Sequence, residues 1–197
     1  MLLDAMGTTG HALRRAELVR TDIQSVYIAG AGPIGLGLLV VAKIRYGDSM
    51  PIWISDISPW RLILAQELGG IPIDVRDPSA LSQIGNVDVA FDASGNQLAR
   101  QAAFEAVDRR GVLVCVGGSE GLTLGDVGKE LLAPERAIMG SEYFNYNELP
   151  DNLELLLANR ALIGRLITHT FPVSDLDRAF ATFLAGETGK VVVTQDD

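Results

Sequence analysis

One segment restricts this chain more than any other. Ser25-Val26-Tyr27-Ile28-Ala29 is a short apolar run, Gly30-Ala31-Gly32-Pro33-Ile34-Gly35 follows at once, and Pro33 to about Tyr46 reads as a helix. A strand that becomes a helix within three residues needs a tight turn, which Gly30 permits. Gly35 lets the helix lie close to the strand, and Gly32 leaves its backbone uncovered; a left-handed backbone at Gly32 would also exclude a β-branched residue. Pro33 suits a first helical turn, where its missing N–H costs nothing. A strand and helix joined this way open a β-α-β crossover, and crossovers of that kind build parallel sheets.

The rest of the sequence keeps that rhythm. Strands are expected at Pro51 to Ser55, Ile71 to Val75, Val87 to Phe91, Val112 to Val116 and Arg136 to Gly140. Helices are expected at Pro59 to Leu68, Gln97 to Val107 and Leu149 to Ala158. Val112-Leu113-Val114-Cys115-Val116 is apolar throughout, as a strand covered on both faces requires. The fold class is therefore α/β: a Rossmann-type doubly wound six-stranded parallel sheet with helices on both faces. Outside this core, Gly10 to Val19 reads as a leading helix after a Gly-Thr-Thr-Gly-His turn. Leu166 to Thr194 reads as a strand, a short helix (Asp175 to Leu184) and a terminal strand (Lys190 to Thr194). The expected organisation is 1–22 as leading helix and connection, 23–165 as the sheet domain, and 166–197 as a C-terminal segment.

Composition narrows the function. With 197 residues, 48% hydrophobic, and 16 Lys+Arg against 25 Asp+Glu, the chain is globular and acidic. It has no basic run, so a nucleic-acid backbone is not an expected partner. The longest apolar run, Ile34 to Ala42, is far short of the roughly 20 residues of a membrane span. Met1-Leu2-Leu3 meets Asp4 at once, unlike a secretory signal. Cys115 is the single cysteine, which excludes an internal disulfide and suits the cytoplasm. One cysteine and two histidines (His11 and His169) cannot form a thiolate-rich zinc site. A carboxylate site stays open but has no suggestive spacing, so no metal ligands are assigned. With no Ser-His-Asp arrangement or acid pair standing out, no catalytic residue is assigned.

The Gly30, Gly32, Gly35 turn meets both context conditions for dinucleotide binding, since it follows a strand and opens a helix. The positive end of the helix would face the phosphates. Asp56 ends the second strand, 21 residues after Gly35, where an acid accepts hydrogen bonds from ribose hydroxyls. The rival role for Asp56 is a helix N-cap. Ser58 before Pro59 is the better cap and leaves Asp56 free. Ligands of such sheets lie beyond the carboxyl ends of the strands. The loops Ala93-Ser94-Gly95 and Val116-Gly117-Gly118 are thus expected at the other end of the dinucleotide. Thr9 reads as a cap or a cofactor contact, Cys115 as a core residue, and His169 as structural. Asp4 with Glu17 and Asp151 with Glu154 read as solvated charges or helix N-terminal acids.

Several further pieces complete a pattern: Gly7-Thr8-Thr9-Gly10-His11-Ala12-Leu13, Asp56-Ile57-Ser58 with Arg61-Leu62, and Glu67-Leu68-Gly69. Asp92-Ala93-Ser94-Gly95, Met139-Gly140-Ser141, Ile167-Thr168-His169, Ala179-Phe180 and Gly189-Lys190-Val191-Val192 follow in order. With them the chain resembles the cofactor-binding half of the medium-chain, zinc-dependent alcohol dehydrogenases, including sorbitol and threonine dehydrogenase-like members. The resemblance implies oxidation of an alcohol by NAD, with Asp56 and Arg61 beside the adenosine ribose and Thr9 near the nicotinamide. It implies a homo-oligomer, a dimer paired through the strand near Ile138. It also implies an upstream domain that supplies the Cys, His and Glu ligands of a catalytic zinc. Those ligands are not in this chain, which is expected to be inactive alone and to expose Leu2, Leu3, Leu166 and Phe171.

Three alternatives stay open at this stage. One is a non-enzymatic dinucleotide-binding or redox-sensing module. A zinc-free quinone reductase relative would usually prefer NADP, which Asp56 opposes. An S-adenosylmethionine methyltransferase usually carries an acid just before its glycines, where this chain has Ile28-Ala29.

Overall fold

The computed structural model describes residues 1–118 and 121–195. A π-helical turn, Leu2–Met6, runs without a break into α1, Gly7–Glu17. The core then alternates β1 (Val26–Ala29), α2 (Pro33–Tyr46), β2 (Ile52–Asp56), α3 (Pro59–Glu67), β3 (Ile71–Asp74), β4 (Val87–Asp92), α4 (Gln97–Ala106), β5 (Val107–Cys115) and β6 (Ala137–Gly140). Helices α5 (Leu149–Ala158) and α6 (Arg160–Gly164) follow, and then β7 (Ile167–Pro172), α7 (Leu176–Leu184) and β8 (Lys190–Thr194).

β1 to β6 form one sheet in the order β3-β2-β1-β4-β5-β6, with every pair parallel. Side chains along each strand alternate between two cores. Val26 and Ile28 of β1 and Val112 and Val114 of β5 join Leu36, Leu39 and Leu13 on one face. Tyr27 and Ala29 of β1 and Leu113 of β5 join Ala103 and Phe104 of α4 on the other. The expected doubly wound sheet, with helices on both faces, is therefore present.

The strand register places the site. Ala29 lies beside Ser55 on one side and Asp92 on the other; Asp92 lies beside Cys115, and Cys115 beside Gly140. All five sit at the carboxyl ends of their strands. The loops that begin at Gly30, Ile57, Ala93 and Val116 therefore leave the sheet along one line. The chain order reverses between β1 and β4, which opens the crevice in which such sheets hold ligands.

Four expectations are corrected. First, α1 begins at Gly7 rather than Gly10, so Thr8 and Thr9 are helical, not part of a turn. Gly7 is there for packing: a Cβ on it would stand 2.4 Å from the Phe144 ring. Second, Val107 ends α4 with extended backbone and opens β5, which starts five residues earlier than the apolar run suggests. Third, Glu17 is no solvated charge: it pairs with Arg45 and accepts from the Tyr46 hydroxyl at 2.9 Å, tying α1 to α2, while Asp4 pairs with Lys190. Fourth, Leu166 is buried in the larger core and Phe171 is half-buried, whereas Leu3 is 64% exposed.

β7 and β8 pair with each other in a separate two-stranded parallel sheet, with α7 packed on it. Among the described residues no helix is long and apolar enough to cross a membrane.

Candidate dinucleotide-binding site

The turn after β1 gives its three glycines different causes. Gly30 has φ +102°, a left-handed conformation that glycine adopts at little cost. Gly35 allows close approach, because a Cβ there would lie 1.8 Å from the Gly30 carbonyl oxygen. Gly32 is constrained by neither. Its φ is −70°, so the left-handed residue of the turn is Gly30 and not Gly32. No atom except the Arg61 Nη1, at 4.0 Å, comes within reach of a Cβ placed on Gly32. Gly32 is the N-cap residue of α2 and offers no side chain to its first turn. The turn thus presents open space at a helix N-terminus, where backbone N–H groups and the helix dipole favour an anion. Pro33 and Ile34, in the first turn of α2, are partly exposed, Ile34 packing against the larger core.

Asp56 ends β2 beside this opening. Its Oδ2 accepts from the Ala31 N–H at 2.7 Å and its Oδ1 from the Ser58 N–H at 2.8 Å. Ser58 is the N-cap of α3, its Oγ accepting from the Arg61 N–H, as the sequence leads one to expect. Asp56 is not free of partners, however: it holds the glycine turn. Each carboxylate oxygen still has acceptor capacity for a hydroxyl. Arg61 sits one turn into α3, with Nε donating to the Thr188 carbonyl at 3.3 Å and its guanidinium facing Gly32.

The far end of the crevice is built by β4 and β5. The Ala93 N–H donates to the Ala29 carbonyl at 2.9 Å. The Val116 and Gly117 N–H groups both donate to the Asp92 carbonyl at 2.9 Å. Gly118 stands in open space. The strand register brings the segments carrying Gly30, Gly32, Pro33, Ile34, Gly35, Asp56, Arg61, Ala93, Ser94, Val116, Gly117 and Gly118 to one edge of the sheet, with Gly35 buried beneath the turn. Thr9 is not on the crevice surface. It is fully buried, its Oγ1 donates to the Ala5 carbonyl at 2.5 Å, and its methyl lies 2.9 Å from where a Cβ on Gly37 would be.

Residues 33–158 match the zinc-binding dehydrogenase family. The chain belongs to that family. L-Threonine 3-dehydrogenase of Paraburkholderia phytofirmans is 29% identical over 201 residues, covering 98% of this chain and 56% of that enzyme. Among solved structures, 2R,3R-butanediol dehydrogenase of Bacillus subtilis superposes with a TM-score of 0.85 at 24% identity, over 99% of this chain and 57% of that one. A short chain alcohol dehydrogenase of Escherichia coli CFT073, complexed with NADH, does so with a TM-score of 0.78 at 21% identity, over 98% and 58%. At such identities the likeness to these structures shows the fold. The chain spans a little over half the length of the relatives it matches.

The titratable side chains bear on whether the chain itself could hold the family's zinc. Among the described residues no group of three or more His, Cys, Asp or Glu side chains is placed to hold a metal ion. Cys115 is half-buried at the end of β5, and burial pushes its thiol above the ordinary value, which keeps it a thiol. His11 lies on α1 with Nδ1 2.8 Å from Glu148, and His169 lies in β7 with Nδ1 2.9 Å from the Thr168 hydroxyl, stacked on Phe171. These donors are far from forming one ligand set, so zinc does not fit the residues described.

Sequence reasoning missed one charged residue beside the crevice. Arg100 of α4 is buried, with Nε donating to Asp92 Oδ2 at 2.7 Å and Nη2 to the Gly117 carbonyl at 2.5 Å. The signal was available: Arg100 lies three and four residues before Ala103 and Phe104, on the buried stripe of α4.

Proposed function

We infer that this chain is the NAD(H)-binding portion of an alcohol or polyol dehydrogenase, serving hydride transfer between an alcohol and NAD. The observation that carries the reading is the open cradle at Gly32, a position that no contact within the chain reserves for glycine, at the N-terminus of α2 and beside the Asp56 carboxylate. The threonine dehydrogenase relatives and the NADH-bound neighbour support it.

In this reading the 30–35 turn holds the pyrophosphate and Asp56 accepts from the adenosine ribose hydroxyls. Arg61 adds positive charge between them, and Ala93, Ser94 and Val116 to Gly118 support the nicotinamide end. The bound nicotinamide supplies the hydride acceptor. The chain's residues orient it and keep the phosphates on backbone N–H groups. Thr9 takes part only through packing of α1 on α2. We further place the protein in the cytoplasm, in keeping with its lone thiol. Pairing of two copies through β6, where Ile138 is 38% exposed at the sheet edge, completes the reading.

The test is titration with NADH and NADPH. Two unit charges 4 Å apart repel by roughly 1 kcal/mol in water and about 4 at an effective dielectric of 20. A 2′-phosphate beside Asp56 therefore costs about one to three factors of ten in affinity. Equal affinity, or a preference for NADPH, overturns the role of Asp56. Binding of neither overturns the site.

A further inference from the structure

Asp92 and Arg100 form an ion pair with side chains 0% and 7% exposed. Such a pair is a poor source of stability, because desolvation offsets much of the attraction and apolar replacements of similar volume are often as stable. Its hydrogen bonds supply another reason for it. Asp92 Oδ1 accepts from the Ser94 N–H at 3.0 Å, the Ser94 hydroxyl at 2.8 Å and the Gly95 N–H at 3.0 Å. Oδ2 accepts from Arg100 Nε, and the same guanidinium reaches the Gly117 carbonyl. One buried pair therefore grips both loops at the β4–β5 end of the crevice from beneath.

The loops also abut. A Cβ on Gly117 would stand 2.2 Å from the Gly95 nitrogen, and one on Gly30 would stand 3.0 Å from Ser94. No room is left between Gly117 and Gly95 for a side chain, so the two loops bear on each other through their backbones. Arginine suits the task because its planar fork donates in two fixed directions at once, to a carboxylate and to a carbonyl; lysine is a point donor.

We propose that Arg100 is a positioning residue for the nicotinamide end of the site: through Asp92 and the Gly117 carbonyl it sets the 93–95 loop against the 116–118 loop, without touching the dinucleotide. This rests on the NAD(H) reading above. The test compares binding of NADH with binding of ADP, which shares the adenosine and pyrophosphate but has no nicotinamide end. Wild type, Arg100→Lys and Arg100→Met are measured as the full chain, with circular dichroism to confirm folding.

Losing charge-assisted bonds at a buried site is expected to weaken NADH binding about tenfold or more in Arg100→Met. Arg100→Lys falls between it and wild type, and ADP affinity is unchanged in both. An equal loss for both ligands makes the pair general scaffold and overturns the proposal, as does no loss for either. If Arg100→Met does not fold, the NADH-to-ADP ratio of Arg100→Lys decides by the same criterion. Wild type that binds neither ligand fails at the NAD(H) reading itself, and this proposal falls with it.

Discussion

The molecule contains two parallel sheets made from similar residues and finished differently. β4, Val-Asp-Val-Ala-Phe-Asp, is buried at all six positions. β8, Lys-Val-Val-Val-Thr, has three consecutive valines and no buried residue. β-Branched and aromatic residues favour the strand in both, Val87, Val89 and Phe91 in β4 and Val191 to Val193 in β8. Cover makes the difference. The six-stranded sheet has helices on both faces, so its strand side chains fill two cores. The β7–β8 pair is covered mainly by α7, with Trp60 of α3 beside His169, and this leaves Phe180 60% exposed and Leu184 77% exposed. Stability should therefore reside in the first sheet, and ligand binding in the loops that leave its carboxyl edge.

The sharpest way to break this comparison is to empty the covered sheet. Phe91 is fully buried in β4, between Ile28 of β1 and Val114 of β5. Phe91→Ala removes a large side chain and leaves a cavity, at a cost of about 3–5 kcal/mol. Urea unfolding followed by circular dichroism measures it. A loss well under 2 kcal/mol would mean that the sheet is less tightly covered than its burial indicates.

The next test separates packing from binding within one turn. Gly35→Ala drives a methyl into the Gly30 carbonyl, so the strand and helix must part, at a cost of about 1–3 kcal/mol. Gly32→Val meets only the Arg61 Nη1, at 4.0 Å from its Cβ, and has an ordinary φ, so its stability falls only by the poorer N-cap, about 1 kcal/mol or less. Its methyls occupy the space assigned to the pyrophosphate, and NADH binding is lost. Gly32→Val that binds NADH normally would move the phosphate site elsewhere.

These contrasts show what the sequence made legible. Hydrophobic rhythm located α2, α5 and β8 to the residue, because Pro33, the apolar stripe of α5 and the valines of β8 are strong local signals. The order of the motifs along the chain pointed to the crevice. Events decided by tertiary contact stayed hidden. Gly7 looks like turn glycine but makes room for Phe144. Thr9 looks like a cap but spends its hydroxyl on its own helix. The single turns 128–132 and α6, five residues each, are too short to display a period. Arg100 escaped because a charge on a helix is ordinarily read as solvated, and only the fold reveals Asp92 beneath it. Asp56 was legible as the residue that ends the second strand, but its bond to the Ala31 N–H depends on two loops meeting in space.

The smallest expected effect lies on the uncovered sheet. Phe180 of α7 lines a shallow groove with Leu176, Ala179, Phe183, Val191 and Val193. At 60% exposure its ring is mostly in water in the folded chain, so unfolding returns little apolar area to solvent. Phe180→Ser should therefore shift stability by no more than about 0.5 kcal/mol, the range of ordinary surface substitutions. Serine and phenylalanine have about the same helix propensity, so α7 itself is retained. Urea unfolding under the conditions used for Phe91→Ala makes the two values directly comparable. A ratio near one would mean that the ring is covered in solution, and the contrast between the two sheets would belong to the single chain rather than to the protein as it exists in solution.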